Sequence, residues 1–155
     1  MNLLNGITKI KNIKNKYMRT IKFRGKRTDT NEWVYGDLKH IHDTGWSFIF
    51  VEGLSDEDKD EEYMVIPETV GQFTGLIDEN GTDVFECDIL ASNNQYTSPP
   101  RICEVYYCDE KAVFRVKYEP HQYYDELFTF IMFNNNFEVI GNIHDNPELL
   151  ELIKK

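Results

Sequence analysis

The sequence predicts a mainly-β protein with barrel-like antiparallel sheets, in one unit or two small subdomains, and a short C-terminal helix. Apolar and charged residues alternate along several short segments, and clusters of turn-forming residues separate these segments. No strand–helix–strand repeat is present in the sequence. With 155 residues, of which 41% are hydrophobic and 14% aromatic, the chain can bury a core of its own.

Four strands are predicted in the first half. Ile21 and Phe23 alternate with charged residues in MRTIKFRGKR, and Trp33 and Tyr35 alternate with polar residues in NEWVYGDLKHIH. WSFIFV predicts a shorter, more buried strand, and the acidic loop SDEDKDEE leads to a fourth strand, YMVIP. The proline that ends this strand places a possible subdomain join near residues 67–70.

The middle of the chain, TVGQFTGLIDENGTDVFECDIL, predicts two strands, TVGQFTGL and TDVFECDIL, joined by the turn IDENG. Asp78 can accept hydrogen bonds from its own backbone, and Asn80 and Gly81 tolerate positive φ. A type I turn that ends in a glycine bulge is therefore expected. Because the glycines have this conformational role, the stretch is not predicted to bind phosphate.

In the second half, RICEVYYCDE and AVFRVKYE predict a hairpin with its turn at 109–111, and FEVIGNIH predicts the last strand. LFTFIMF is compatible with either a buried strand or a helical turn. DNPELLELIKK predicts the terminal helix, in which Asn146 caps the N-terminus and Pro147 takes the first helical position. The expected total is about nine strands and one terminal helix.

Charge is distributed unevenly. The net charge is −10, yet residues 1–28 contain nine basic and no acidic residues, and the remainder contains eight basic and 27 acidic residues, a net −19. Residues 1–17 form a basic leader, which is expected to be either a short helix or a disordered segment. It is either a functional segment or the result of a start codon assigned too far upstream. Residues 18–155 are expected to form a single β domain.

The composition excludes several classes of protein. No run of 18 apolar residues is present, so no membrane-spanning helix is predicted, and the N-terminus does not resemble a secretory signal. The three cysteines, Cys87, Cys103 and Cys108, cannot all pair within one chain and form no CxxC motif. A reduced, cytoplasmic protein without a bound metal or cofactor is therefore expected.

Candidate catalytic and metal-binding residues are few. His40 and His42 share one face of a strand, but no cysteine or acid at a suitable spacing completes a metal site. Cys103 and Cys108, five residues apart on a strand, face opposite sides, which argues against a shared thiolate site. No catalytic residue is predicted.

The acidic loop resembles a calcium-binding loop only in part. Asp56, Asp58 and Asp60 match the first three ligand positions of an EF-hand. Glu61 replaces the required glycine, and Pro67 replaces the bidentate glutamate, so calcium is not expected. GxxxxGK[ST] and GxGxxG nucleotide motifs are also absent from the sequence.

Aromatic residues at alternating positions are compatible with a core or with stacking platforms for single-stranded nucleic acid. They are Trp33, Tyr35, Trp46, Phe73, Phe85, Tyr106, Tyr107 and Tyr118. The acidic body repels phosphate, so affinity for nucleic acid would depend on the basic leader, and duplex DNA binding is not expected.

Four blocks in order, IKFRGK, WVYG, VGQFTGLIDENGTDVFECDI and FEVIGNIHDNPELL, resemble the YopX family of small bacteriophage and prophage proteins, from about Met18 to Leu150. The resemblance implies a mainly-β fold and a cytosolic protein of phage or prophage origin. It implies no activity and no catalytic residues. The family usually has EGDI where this chain has Glu86-Cys87-Asp88-Ile89, which suggests that position 87 does not require positive φ.

These observations lead to the expectation of a non-catalytic binding module, whose partner is another protein or a second copy of the chain. A nucleic-acid-binding protein that uses the basic leader and aromatic faces is the first alternative. A hydrolase with a site assembled from distant residues is the second.

Overall fold

The computed structural model describes residues 19–53, 59–92, 101–118, 123–133, 137–149 and 151. Within these ranges the chain forms two antiparallel sheets and one short α-helix. The leader, residues 55–58 of the acidic loop, and residues 150 and 152–155 of the predicted terminal helix lie outside the described residues. A mainly-β fold is thus confirmed.

The first sheet has six strands in the order β4-β3-β2-β1-β5-β6. They are β1 (Phe23–Lys26), β2 (Trp33–Ile41), β3 (Trp46–Val51), β4 (Glu61–Val65), β5 (Gly71–Ile77) and β6 (Asp83–Phe85). A 3-10 helix, Pro67–Thr69, connects β4 to β5.

The second sheet has five strands in the order β10-β9-β8-β7-β11. They are β7 (Asp88–Ser92), β8 (Arg101–Cys108), β9 (Val113–Tyr118), β10 (Tyr123–Glu126) and β11 (Phe137–Asn142). The α-helix α1 (Leu127–Phe133) lies between β10 and β11, and a 3-10 helix, Pro147–Leu149, follows β11.

Neither sheet closes into a barrel among the described strands, so the barrel-like arrangement is not confirmed. The end of β1 does meet the end of β4, because Arg27 forms a β-bridge with Val65 and the Ile66 N–H donates to the Lys26 carbonyl at 2.8 Å. The first sheet is therefore curved but open.

The segment predicted as one strand, TDVFECDIL, is instead two strands in different sheets. Glu86 and Cys87 form a turn between β6 and β7, and the chain passes there from the first sheet to the second. Cys87 has φ = 67°, so the expectation that this position does not need positive φ is wrong. Hydrogen bonds from the Cys87 N–H to the Val105 carbonyl (2.8 Å) and from the Ile143 N–H to the Cys87 carbonyl (3.0 Å) hold this conformation.

The turn after β5 joins the two sheets as well as the two strands. Oδ1 of Asp78 accepts hydrogen bonds from the N–H groups of Asn80 (2.9 Å) and Thr82 (2.7 Å), as the sequence predicts. Oδ2 of the same side chain accepts from the Val139 N–H of β11 at 3.0 Å, and the Glu79 N–H donates to the Phe137 carbonyl at 3.3 Å. This buried carboxylate therefore attaches the first sheet to the edge of the second.

The main core lies between the second sheet and α1. LFTFIMF is the α-helix, and its spacing buries Leu127 and Phe130 while Phe128 stays 66% exposed. The buried cluster contains Val84, Leu90, Cys103, Val105, Val116, Leu127, Phe130 and Phe137. The hairpin turn after Cys108 also forms as predicted.

Candidate binding surface

The outer strands of the first sheet have one buried face and one exposed face. Directly opposite residues of neighbouring antiparallel strands share a face. Ser47 and Ile49 of β3 and Val65 of β4 lie on the inner face and are buried. Because side chains alternate along a strand, Trp46, Phe48 and Phe50 lie on the outer face.

The register of β2, β3 and β4 collects apolar side chains on this outer face. Ile41 lies opposite Trp46, and Met64 lies opposite Phe48. Trp46 is 53% exposed and Met64 is 38% exposed. We call the apolar patch the set Ile41, Trp46, Phe48, Phe50 and Met64.

Charged side chains border the apolar patch. Phe50 lies between Asp37 of β2 and Glu62 of β4 in the register, and the Lys39 ammonium lies 5.5 Å from the centre of the Phe50 ring. Among the described residues of 37–65, six are acidic and two are basic, a net charge of −4. The surface therefore combines exposed apolar groups with a negative rim.

A different cluster joins the two sheets beside the patch. Nη2 of Arg24 on β1 lies 2.6 Å from Oδ1 of Asp88 on β7 and donates to the Glu86 carbonyl at 3.0 Å. The guanidinium also lies over the rings of Trp33 (4.7 Å) and Phe85 (4.9 Å). Burial raises the pKa of Asp88, and the charge of Arg24 opposes that shift. We call this set of contacts the junction.

Asp145 forms the second half of the junction. Its carboxylate accepts from Trp33 Nε1 (2.6 Å) and Asn142 Nδ2 (3.0 Å) and pairs with the Lys26 ammonium. Partial burial opposes ionisation, but these donors lower the pKa of Asp145 to about 2. Nearby, burial together with Arg24 and Lys26 lowers the pKa of His144.

Each of the four sequence blocks that resemble the YopX family contributes a residue to the junction. Arg24 lies in IKFRGK, Trp33 in WVYG, Asp88 in the central block and Asp145 in the last block. Sequence reasoning did not identify these pairs, because 64 residues separate Arg24 from Asp88. The recurring blocks meet where the two sheets are held together, and this arrangement fits a structural role.

The histidine pair identified in the sequence lies on the β2–β3 hairpin. The rings of His40 and His42 are 4.9 Å apart, and His40 Nδ1 is 2.9 Å from the Ser47 hydroxyl. Over the described parts of the chain, no three His, Cys, Asp or Glu side chains come together as metal ligands would. Asp60, from the acidic loop, accepts a hydrogen bond from the Gly53 N–H at 3.1 Å.

The cysteines do not converge. Cys103 is buried in the main core and Cys108 is half-buried, in agreement with the prediction that they face opposite sides. Burial raises the pKa of Cys103, and burial with nearby Glu104 and Glu86 raises the pKa of Cys87 to about 11. These two thiols are thus held protonated at neutral pH, which disfavours nucleophilic chemistry.

The aromatic residues divide between core and surface. Phe73 and Phe85 are buried, whereas Tyr35, Trp46 and Tyr107 are between 40% and 53% exposed. Sequence reasoning missed Phe48, Phe50 and Met64, because WSFIFV predicts a buried strand from its composition. In this strand Ser47 and Ile49 alternate with aromatic residues, and this alternation could have indicated that one face of the strand is exposed.

The fold and surface define a small protein of two joined antiparallel sheets with an exposed apolar patch. The sequence model of the family described as YopX protein matches residues 22–151, and the chain belongs to this family. A solved structure, protein EF1440 from Enterococcus faecalis, is similar at 26% identity with a TM-score of 0.52, covering 86% of this chain and 99% of the other. Comparison with curated proteins gives no match. None of the helices in the described residues has the length and apolar character needed to cross a membrane.

Proposed function

We propose that this protein is a non-catalytic module, encoded by a phage or prophage, that binds a basic protein segment in the bacterial cytoplasm. The apolar patch with its negative rim is the observation that carries the proposal. Exposed aromatic and methionine side chains supply contact area, and the surrounding carboxylates favour a partner of opposite charge. The family resemblance supports the phage origin, and the three free thiols are compatible with a reducing compartment.

A basic partner fits this surface better than a second copy of the chain. In a two-fold dimer through the patch, Asp37 and Glu62 of one copy would approach the same acidic surface of the other. Such like-charge contacts across an interface are unfavourable. A partner that places Lys or Arg near these carboxylates and an apolar side chain on Trp46 avoids this repulsion.

Binding is also a better explanation of the polar groups than catalysis. Asp88 and Asp145 are engaged in the junction, where each has a cationic partner. The thiols of Cys87 and Cys103 are disfavoured as thiolates. The hydrolase and nucleic-acid alternatives are therefore less well supported, the latter because carboxylates of Asp37 and Glu62 flank the patch at Phe50 and repel phosphate.

The test begins with capture from bacterial cells that carry the phage or prophage, followed by mass spectrometry. Three full-length chains serve as bait: the wild type, the double variant Trp46→Ser/Met64→Ser, and the control Tyr107→Ser. Tyr107 is 40% exposed, but it lies on the second sheet. The expected partner is captured by wild type and control and is lost with the patch variant.

A titration with the purified partner then measures the effect. Truncation of a central aromatic contact in an interface costs about 2 kcal/mol or more, so the patch variant should bind at least ~10-fold more weakly. The affinity of the wild type should also fall as salt increases, because part of the attraction is electrostatic. Equal affinity of the patch variant and the wild type would contradict the proposal.

A further inference from the structure

We propose that the basic leader, residues 1–17, binds the apolar patch of its own chain and competes there with the partner. This inference rests on the proposed function, because it assigns an internal occupant to the same surface. The leader would then act as a built-in inhibitor whose release accompanies partner binding.

The leader has the chemistry that the surface requires. It carries Lys9, Lys11, Lys14 and Lys16 and no acidic residue, and the described residues of 37–65 carry a net charge of −4. Apolar side chains recur among these lysines at Ile7, Ile10 and Ile13. A segment that alternates apolar and cationic groups matches a patch on which Phe50 lies between the carboxylates of Asp37 and Glu62.

The described chain enters the first sheet close to the patch. Phe23 of β1 lies opposite Gly36 of β2, beside Asp37, which pairs with Phe50. Strands lie about 4.8 Å apart, so β3 is roughly 10 Å from β1. Residues 1–18 can extend about 3.3 Å per residue, or roughly 60 Å, which exceeds this distance several-fold. Residues 19–21, which lead into β1, are exposed.

The tether makes even a weak interaction effective. A short flexible connection gives a local concentration on the order of 1 mM. If the free leader binds the patch with a dissociation constant of about 0.1 mM, the tethered leader occupies it about 90% of the time. A competitor would then bind the intact chain about 10-fold more weakly than a chain whose leader is released.

Zero-length carbodiimide crosslinking of the intact chain tests the contact directly. The reagent joins an amine to a carboxylate only when they touch, and peptide mass spectrometry identifies each pair. Leader lysines should crosslink to Asp37, Asp43, Glu61 and Glu62 at least several-fold more than to Asp109 and Glu110. The last two are also exposed carboxylates and lie in the turn between β8 and β9. An even distribution, or a preference for the β8–β9 turn, would overturn the inference.

The apolar part of the contact is tested with variants of the full chain. Trp46→Ser/Met64→Ser should reduce the leader crosslinks to Asp37 and Glu62 several-fold, and Tyr107→Ser should leave them unchanged. Crosslinks that persist in the patch variant would show a purely electrostatic association and would contradict occupation of the patch. A crosslink between Lys26 and Asp145, which pair across the two sheets in the folded chain, reports that each variant is folded.

Competition is measured with a synthetic peptide of residues 1–17. The probe should bind a full chain carrying K9Q, K11Q, K14Q and K16Q about 10-fold more tightly than the wild type, whose own leader occupies the patch. Equal binding to the two chains would overturn the inference. The proposed function has a separate test. It is contradicted if partner binding does not depend on Trp46 and Met64, and this result does not depend on where the leader binds.

Discussion

Replacement of Asp88 by asparagine should destabilise the fold strongly, because it leaves the Arg24 guanidinium buried without its counter-charge. The two side chains are only 8% and 1% exposed, and their charged atoms lie 2.6 Å apart. Asparagine keeps the shape of aspartate and can still accept the Phe85 N–H, which donates to Asp88 at 2.7 Å. The substitution therefore removes the charge with little change in packing.

The magnitude follows from the burial of the pair. Two unit charges about 4 Å apart, at an effective dielectric constant of about 20, attract each other by about 4 kcal/mol. Removal of one partner from a buried pair generally costs about 3–5 kcal/mol. Arg24 retains the Glu86 carbonyl and the rings of Trp33 and Phe85. We therefore expect the lower end of the range, a loss of about 3 kcal/mol in the free energy of unfolding.

Urea unfolding followed by tryptophan fluorescence measures this loss. With a denaturant dependence of about 2 kcal/mol per M, the midpoint should fall by about 1.5 M. The control is Asp29→Asn, which breaks the surface pair of Arg27 and Asp29, where the Asp29 side chain is 61% exposed. This control should leave the midpoint unchanged, because exposed ion pairs contribute little.

A double-mutant cycle separates the pair from its surroundings. Arg24→Met combined with Asp88→Asn should recover part of the stability that Asp88→Asn loses, because no unpaired charge then remains buried. A loss below about 1 kcal/mol for Asp88→Asn, the range of exposed pairs, would refute the reasoning. So would additive effects of the two substitutions.

The Asp145 pKa of about 2 lies below the usual 3.8, so its contribution to stability is complete above the unfolded-state pKa and is lost as the pH falls toward ~2. The difference in urea midpoint between wild type and Asp145→Asn should therefore shrink from pH ~5 to pH ~2, and parallel curves would contradict this sign. The free energy of unfolding of the Cys87→Gly variant should be about 1 kcal/mol higher than that of Cys87→Ala. Both substitutions remove the thiol, but only glycine adopts the positive φ of this position without strain. The full chain should bind duplex DNA at most weakly near ~150 mM salt, and a tight, sequence-selective complex by fluorescence anisotropy would favour the nucleic-acid alternative.

The alternation of side chains predicted most strands, because it is a local property of the sequence. Residues such as Trp33 and Tyr35 therefore identified β2, and the turn at Asp78 followed from side-chain chemistry. LFTFIMF remained undecided because all of its residues except one are apolar, and the helical period is visible only when the exposed Phe128 is known. The turn at Cys87 has no local signal, since cysteine does not favour positive φ.

The junction and the patch could not be predicted because both depend on contacts between distant segments. Arg24 contacts Asp88, and Trp33 contacts Asp145, only when the two sheets are packed together. The patch depends on which face of the first sheet remains uncovered. Trp46 could have been a core residue from its sequence environment alone, and only the register with Ile41 on β2 and the burial of Ser47 place it outside.

The contact between the β5–β6 turn and β11 has a consequence for self-aggregation. β11 is the last strand of the second sheet, and an open last strand offers free N–H and carbonyl groups to the strands of other molecules. Here the Val139 N–H is taken by Asp78 and the Phe137 carbonyl by the Glu79 N–H. Two backbone groups that could pair with a strand of another copy are thus already satisfied within the chain, and a turn of the first sheet hinders edge-to-edge addition at β11.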